Sequence, residues 1–177
     1  FQRIANVLLL EETASTNDVA RALVERMVAE DTELLPTCVA ARRQTAGKGR
    51  SGRSWETSGE GAVAVSLVAP WPEGPGRIHV PVATGIVLAR SLSAAFGLDL
   101  LLKWPNDLLS RGKKVAGILV EGRTLPDGTG YVVVGVGLNA GTTRAELDAL
   151  ALPGATSLAL EGVEPALLAR DLPLVAV

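Results

Sequence analysis

The sequence predicts an α/β fold in which helices flank a mixed β-sheet. Short apolar runs bounded by charged or turn residues recur along the chain, and residues 62–69 form a run typical of a strand buried on both faces. Residues 80–96 instead carry apolar side chains at helical spacing. Residues 113–121 and 131–138 are further apolar runs, and a turn at residues 126–128 between them predicts an antiparallel hairpin. Strands that alternate with helices, together with a hairpin, indicate a sheet of mixed direction.

The amino-terminal part of the chain predicts a strand, a helix and a second strand. Residues 3–10 are an apolar run, and we expect this strand to leave the core at the acidic residues 11 and 12. The polar cluster at residues 13–18 precedes apolar residues at helical spacing, so one side chain among residues 15–17 is expected to cap a helix. Residues 37–41 then predict a strand that leads directly into a basic loop.

The remaining elements begin or end at recognisable signals. The helix predicted over residues 80–96 stops at Gly97, a residue type that suits a helix C-terminus. Residues 98–103 predict a short strand. Thr143 and Glu146 have the spacing of a capping box, which predicts a further helix start, and residues 165–172 predict a last short helix.

The segment of residues 42–55 is the first candidate for a binding site. It contains five basic residues, and no acidic residue occurs between Glu33 and Glu56, so we expect its positive charge to stay unneutralised. Three glycines would let backbone N–H groups approach an anion closely. The basic residues are Arg42, Arg43, Lys48, Arg50 and Arg53, and the glycines are Gly47, Gly49 and Gly52.

Other interpretations of the glycines are weaker. The three glycines of the basic loop match the dinucleotide-binding fingerprint, but no helical pattern follows them. The phosphate-loop motif is absent, because Arg42 stands where it requires its first Gly, and Gly49 follows Lys48 where it requires Ser or Thr. A second glycine pattern at residues 135–140 lies in a predicted strand, where glycine marks a close approach of backbone or ligand. A solvated basic loop that contacts nucleic acid through charge alone stays open.

Composition narrows the class of protein. The chain has 177 residues, of which 47% are hydrophobic and 20% charged, and this fits one globular domain over residues 1–177. A net charge of -2 argues against coating of DNA and for a small anionic ligand. The single cysteine, Cys38, cannot form an internal disulfide, so we expect a reducing, cytoplasmic location. No apolar run has membrane-spanning length. His79 has no cluster of potential metal ligands beside it, so we expect His79 to have a structural role.

Polar groups gather where the predicted strands end, and binding sites form at such edges. They include no Ser-His-Asp or Cys-His set, because the only His and the only Cys lie in apolar runs. The chemistry should therefore rest on positioning and charge neutralisation, as it does in phosphoryl and nucleotidyl transfer. The groups are residues 15–17, residues 44–53, residues 103–107, Lys114 and Asn139.

Five motifs stand in order along the chain. They are Ser15-Thr-Asn17, Gln44-Thr-Ala-Gly-Lys-Gly-Arg-Ser-Gly-Arg-Ser-Trp55, Lys103-Trp-Pro-Asn-Asp107, Lys114-Val-Ala-Gly-Ile-Leu-Val-Glu121 and Gly135-Val-Gly-Leu-Asn139. In order and approximate spacing they match the biotin protein ligases, and the chain resembles their catalytic domain over roughly residues 7–157. The resemblance implies a mixed sheet with flanking helices, related to class II aminoacyl-tRNA synthetases and lipoate ligases.

The resemblance also implies an activity. Such an enzyme uses ATP and Mg²⁺ to activate biotin as biotinyl-5'-AMP and transfers it to a lysine of a biotin carboxyl carrier protein. A lipoate or octanoate ligase of the same fold is the nearest alternative. The implied catalytic residues are Lys114 and Arg50, and the implied biotin-binding residues are Ser15, Thr16, Asn17, Gln44, Gly47, Lys48, Gly49, Arg50, Lys114 and Gly117. The implied ATP-binding residues are Arg50, Arg53, Trp55, Lys103, Asn106 and Asn139, with Asp107 near the Mg²⁺ ion.

Some features depart from the family pattern. Lys48 stands where the family more often has Arg. The ammonium group of Lys is a point charge, whereas the guanidinium group of Arg can form two parallel hydrogen bonds to one anion. No helix-turn-helix precedes Phe1, so we expect no DNA binding. We expect the carboxy-terminal β-domain of the family to be absent or truncated, and a homodimer is possible. The glycine-containing loop is expected to order over the bound ligand and exclude water.

Overall fold

A seven-stranded sheet forms the centre of the fold. The computed structural model describes residues 4–56, 61–71, 79–125, 128 and 130–175. The strands are β1 (Asn6–Thr13), β2 (Thr37–Gln44), β3 (Ala62–Pro70), β4 (Leu100–Lys103), β5 (Asp107–Ser110), β6 (Lys113–Thr124) and β7 (Gly130–Asn139). The helices are α1 (Thr16–Ala29), α2 (Val80–Phe96), α3 (Arg144–Ala149) and α4 (Pro165–Val175).

The order of the strands confirms the prediction of a mixed sheet. It runs β1-β2-β3-β7-β6-β5-β4. β1 and β2 are parallel, and the other neighbouring strands are antiparallel. β7 therefore lies in the middle of the sheet, between β3 and β6.

α1 and α2 cover opposite faces of the sheet. Val24 of α1 belongs to a buried cluster with Val133 of β7, and Leu92 of α2 belongs to a second cluster with Leu138 of the same strand. Successive side chains of a strand point to opposite faces, so Val133 and Leu138 mark the two sides. Gly135 lies on the face of Val133, beside the beginning of α1.

Most of the predicted elements are confirmed. α2 has the predicted bounds, and Gly97 follows it with a φ of 69°, the left-handed conformation that favours glycine. β6 and β7 pair antiparallel, as the predicted hairpin requires; residues 126 and 127 of its turn lie outside the described residues. Among the described helices, none combines the length and the apolar character needed to cross a bilayer.

The predicted end of β1 is wrong. The strand does not end at the acidic pair but continues through it to Thr13, with Glu12 opposite Arg43 of β2. The side chains of Glu12 and Arg43 form an ion pair, and Glu11 lies 3.3 Å from Arg42. Cross-strand pairing thus supports two carboxylates in an edge strand. Residue 3, the first of the predicted run, lies outside the described residues.

Strand β5 was not predicted from the sequence. β4 ends at Lys103, two residues before Pro105. The chain then turns at once, so that Asp107 pairs with Lys103 and opens β5. A strand of four residues is too short to show a clear period. β5 brings Asp107 opposite Gly117 of β6.

The expected cap of α1 is also wrong. Ser15 is the N-cap residue, but its side chain makes no capping hydrogen bond. The backbone N–H of Thr16 instead donates to Oε1 of Gln44 at 2.7 Å. An acceptor from the end of β2 thus satisfies a helix N–H group, because β1 and β2 are parallel and their ends meet there.

The capping box of α3 leads to a prediction about pH. The backbone N–H of Thr143 donates to the Glu146 carboxylate at 2.7 Å, and this bond, followed by the side-chain bond to Thr143, lowers the pKa of Glu146. A carboxyl whose pKa is lowered by folding adds stability above its unfolded pKa and loses it as the pH falls through the folded value. We expect Glu146→Gln to lower the free energy of unfolding by about 1 kcal/mol or less at neutral pH, and to have no effect in strong acid.

Denaturant unfolding at both pH values measures this difference. Glu33→Gln is the control, because Glu33 is an exposed glutamate between α1 and β2 and lies in no helix or strand. An equal loss of stability for Glu146→Gln at neutral and acidic pH would contradict the assigned role of the charge.

Candidate functional site

A pocket of about 220 Å³ opens on the α1 face of the sheet. It lies between the beginning of α1, the loop after β2 and the central strands. The structure brings most of the predicted site residues together in its wall. These are Ser15, Thr16, Asn17, Gln44, Lys48, Gly49, Arg50, Arg53, Trp55, Asn106, Lys114 and Gly117.

Four predicted site residues are not part of the wall. Asp107 contacts a residue of the wall, since its carboxylate lies 2.8 Å from the ammonium group of Lys114. Gly47 accepts a backbone hydrogen bond of 2.8 Å from Trp55 and so closes the base of the loop. Asn139 is buried, and its side chain donates to the carbonyl of Thr156. The fourth residue, Lys103, is exposed at the end of β4.

One end of the pocket is polar and buried. Oε1 of Gln44 accepts hydrogen bonds from the backbone N–H of Thr16 at 2.7 Å and from its hydroxyl at 3.0 Å. Both residues are less than a tenth exposed. Since these bonds fix the amide of Gln44, this end offers a preformed set of hydrogen-bonding groups in a protected place.

The indole of Trp55 packs against the middle of the sheet, over glycines of β6 and β7. A Cβ atom at Gly137 would lie 2.2 Å from this ring, and one at Gly117 would lie 2.9 Å from it. The ammonium of Lys114 sits 5.3 Å from the ring centroid, within range of a cation–π interaction. Nε1 of Trp55 is buried and has no hydrogen-bond partner among the described residues. An indole N–H in this position can donate to a ligand.

The charge of the loop differs from the prediction. No carboxylate is near these cations in sequence, but Arg42 and Arg43 pair with residues of β1 as described above. Lys48 lies 2.6 Å from Asp18 in the first turn of α1. The expectation of an unneutralised loop is therefore wrong for these three cations. In the part of the chain that the structure describes, Arg50 and Arg53 have no carboxylate within ion-pair distance.

Two further observations on the described residues concern metal ligands and the cysteine. No group of three His, Cys, Asp or Glu side chains that could hold a metal occurs there. Burial raises the pKa of the Cys38 thiol, which disfavours the nucleophilic thiolate. The cations and hydrogen-bonding groups of the pocket remain, and they suit an anionic ligand with a polar head.

Sequence reasoning missed several residues of the site. Ser66 is fully buried in β3 and contacts both Thr16 and Asn17. Glu121 of β6 accepts a hydrogen bond from Asn17 at 2.8 Å. A hydroxyl within the apolar run of residues 62–69 was the available signal for Ser66, but only the pairing of strands shows what it faces.

The position of Trp55 can be tested in solution. We expect Gly137→Ala to displace the indole, because the added methyl group would overlap it. The result should be a red-shifted tryptophan emission and stronger quenching by acrylamide. Gly154→Ala is the matched control, since its Cβ would meet no atom within 4 Å. Unchanged emission and quenching in a folded Gly137→Ala variant would contradict the observed packing.

Comparison with known proteins gives a consistent result. Residues 10–139 match the model of the Biotin/lipoate A/B protein ligase family. A biotin--[acetyl-CoA-carboxylase] ligase of Mycobacterium tuberculosis is 34% identical over 168 residues, which cover 88% of this chain and 55% of that protein. The chain thus spans about half the length of this relative.

Solved structures agree in fold. The biotin protein ligase of Leishmania major in complex with biotinyl-5-AMP has a TM-score of 0.74 and 26% identity, covering 98% of this chain and 74% of that chain. The biotin protein ligase of Aquifex aeolicus in complex with biotin and ATP has a TM-score of 0.70 and 27% identity, with 98% and 69% covered. With more than half of its residues matched by the family model, the chain belongs to the Biotin/lipoate A/B protein ligase family.

Proposed function

We propose that this chain is the catalytic part of an ATP-dependent biotin--[biotin carboxyl-carrier protein] ligase. The observation that carries the proposal is the division of one pocket into two ends. Thr16 and Gln44 form a buried hydrogen-bonding end, and Lys114 and Arg50 stand among the cations of the wall. The named relatives bind biotin, ATP or biotinyl-5-AMP, which supports biotin as the substrate of this chain.

The hydrogen-bonding end suits the head of biotin. A ureido ring carries a carbonyl acceptor and two N–H donors, and it needs partners of both kinds when water is removed. The hydroxyl of Thr16 and the amide of Gln44 supply acceptors and donors from fixed positions. Gly117 would border the bound ligand, beside the indole of Trp55.

The cationic end suits the joining of two anions. A carboxylate oxygen of biotin attacks the α-phosphorus of ATP, the bond to the β-phosphate breaks, and pyrophosphate leaves. Lys114 and Arg50 would reduce the repulsion between the carboxylate and the phosphate. In the second step the amine of a carrier lysine attacks the acyl carbon, gives up a proton and forms an amide while AMP leaves.

The described residues could hold a Mg²⁺ ion only if the phosphates of ATP supply most of its ligands. Asp107 is a single carboxylate beside Lys114, and no metal-binding cluster occurs among the described residues. Mg²⁺ is often held by one or two carboxylates together with substrate phosphates. The ion would supply charge neutralisation on the leaving pyrophosphate.

Two groups at the pocket suit the nucleotide side of the site. Trp55 offers an indole N–H that has no partner within the described ranges, and Asn106 is fixed by mutual hydrogen bonds with Ile118 at the edge of the pocket. Contacts of ATP with Arg53, Lys103 and Asn139 stay predictions. The carrier protein, a cytoplasmic location and a possible homodimer belong to the same set of proposals.

The direct test is release of pyrophosphate from ATP in the presence of Mg²⁺. We expect biotin to stimulate it and lipoate to give little or no stimulation. Stimulation by lipoate alone would assign the chain to the lipoate branch of the family. Absence of turnover with either acid, together with salt-sensitive binding of an oligonucleotide, would favour the nucleic-acid-binding alternative.

Removal of Lys114 should abolish formation of the adenylate. Without its ammonium, the two reacting anions lose a counter-charge, and we expect a rate loss of about 10²-fold or more. A quenched-flow assay of biotinyl-AMP measures this. Lys113→Ala is the control, because the neighbouring lysine is exposed and does not line the pocket. An adenylate rate near that of the wild type in Lys114→Ala would contradict the assigned role.

Removal of Arg50 should shorten retention of the adenylate. Its proposed task is to hold the loop over the phosphate, so Arg50→Ala should bind biotin but release biotinyl-AMP about tenfold faster or more. Amide exchange at residues 47–52 should show less protection by the adenylate than in the wild type. Arg90→Ala, an exposed change on α2, is the control. Unchanged release with lost recognition of the carrier would assign Arg50 another role.

A further inference from the structure

A chain of hydrogen bonds runs beneath the hydrogen-bonding end of the pocket. Nδ2 of Asn17 donates to a carboxylate oxygen of Glu121 at 2.8 Å. The hydroxyl of Ser66 lies 2.6 Å from Oδ1 of the same amide and 2.8 Å from the hydroxyl of Thr16. Asn17, Ser66 and Thr16 are all buried. The chain thus links a residue of β6 to the group that faces the ligand.

A glycine of β7 leaves the space that this series of hydrogen bonds needs. The amide of Asn17 lies over Gly135, where a Cβ atom would approach Oδ1 to 2.3 Å. Gly135 stands opposite Ser66 of β3 in the sheet. The amide can therefore cross the strand and contact β3 on one side and β6 on the other. Any larger residue at position 135 would separate Asn17 from its partners.

The hydrogen bond between Asn17 and Glu121 determines the direction of the others. A carboxylate can only accept, so Glu121 requires the NH₂ group of Asn17 to face it. The carbonyl oxygen of that amide then faces Ser66, and it too can only accept. The single proton of the Ser66 hydroxyl is therefore committed to Asn17.

This order determines the role of Thr16. Because Ser66 donates elsewhere, the contact of 2.8 Å between the two hydroxyls cannot be a donation from Ser66. Two acceptors on the protein side are then open to the Thr16 proton, the Ser66 oxygen at 2.8 Å and Oε1 of Gln44 at 3.0 Å, and both contacts favour a proton that points inward. A lone pair of the Thr16 hydroxyl is then left for the pocket. The site presents an acceptor at this point.

We infer that Glu121 is a positioning residue, which acts through Asn17 and Ser66 to hold the Thr16 hydroxyl as an acceptor for a ligand N–H group. This inference rests on the proposed function, in which that group is a ureido N–H of biotin. Glu121 does not line the pocket, so its effect on the ligand is transmitted through the chain. If its acceptor is lost, the amide of Asn17 can turn over, and the Ser66 proton can then point to Thr16.

The first experiment compares two substitutions of Glu121. Glu121→Met has similar length and no strong acceptor, whereas Glu121→Gln keeps a carbonyl that can accept from Asn17. Calorimetry should give about tenfold weaker binding of biotin for the Met variant, with the affinity for ATP changed less than about twofold. The Gln variant should recover most of the loss. Glu25→Met, an exposed change on α1, is the matched control.

The second experiment exchanges the two partners. Asn17→Asp places two carboxylates together and removes the donor, so biotin should bind at least about tenfold more weakly. In the double variant Asn17→Asp/Glu121→Gln, the new amide can donate to the new carboxylate, and the carboxylate still accepts from Ser66. We expect the double variant to bind biotin more tightly than Asn17→Asp. A merely structural or steric role of Glu121 predicts no such recovery.

Several outcomes would overturn the inference. One is wild-type affinity for biotin in Glu121→Met, and another is an equal loss of affinity for biotin and ATP. A third is a double variant that is folded by thermal unfolding yet no better than Asn17→Asp. These results leave the proposed function intact if the wild-type protein makes biotinyl-AMP. Absence of biotin binding in the wild type would instead overturn the proposed function, and this inference with it.

Discussion

The site depends on the absence of side chains at two positions of the central strand. β7 carries Gly135 and Gly137 on the face that α1 covers, and any Cβ atom there would overlap Asn17 or Trp55. Glycine weakens a strand, so its presence twice in the middle of a sheet has a cost in stability. The neighbouring strands and the buried clusters on both faces offset that cost. A flat patch of backbone results, on which groups from three separate segments can meet.

The fold could largely be predicted because its signals are local. The helical spacing of apolar residues predicted the observed bounds of α2, and the capping box predicted the start of α3. Where prediction failed, the deciding contact was distant in sequence. β1 continues through Glu12 because Arg43 lies opposite, and α1 begins without a side-chain cap because Gln44 supplies the acceptor. Neither partner can be identified until the strand pairing is known.

The site likewise has residues that could be predicted and residues that could not. The residues predicted to contact a ligand lie in short motifs with distinctive chemistry, and most of them do line the pocket. The residues that contact them, Ser66, Glu121 and Asp18, lie in no distinctive motif. A serine in a strand, or a carboxylate at a position expected to be exposed, is common in any domain. Their positions depend on register. A shift of one residue in the pairing of β3 with β7 would turn Ser66 to the opposite face of the sheet.

The two ion pairs at the pocket have a further consequence for binding. Lys114 and Lys48 are both held by carboxylates, Asp107 and Asp18, at 2.8 and 2.6 Å. The four side chains are about a quarter to a half exposed, so each pair is only partly removed from water and contributes on the order of 1 kcal/mol or less. Such a pair keeps a cation oriented without binding it strongly. An arriving phosphate or carboxylate can therefore replace the partner at little cost, because the cation exchanges one anion for another and is never left unpaired. The carboxylate of Asp107 would then lose its own counter-charge, and in the proposed reaction a Mg²⁺ ion on the phosphates would provide a new one.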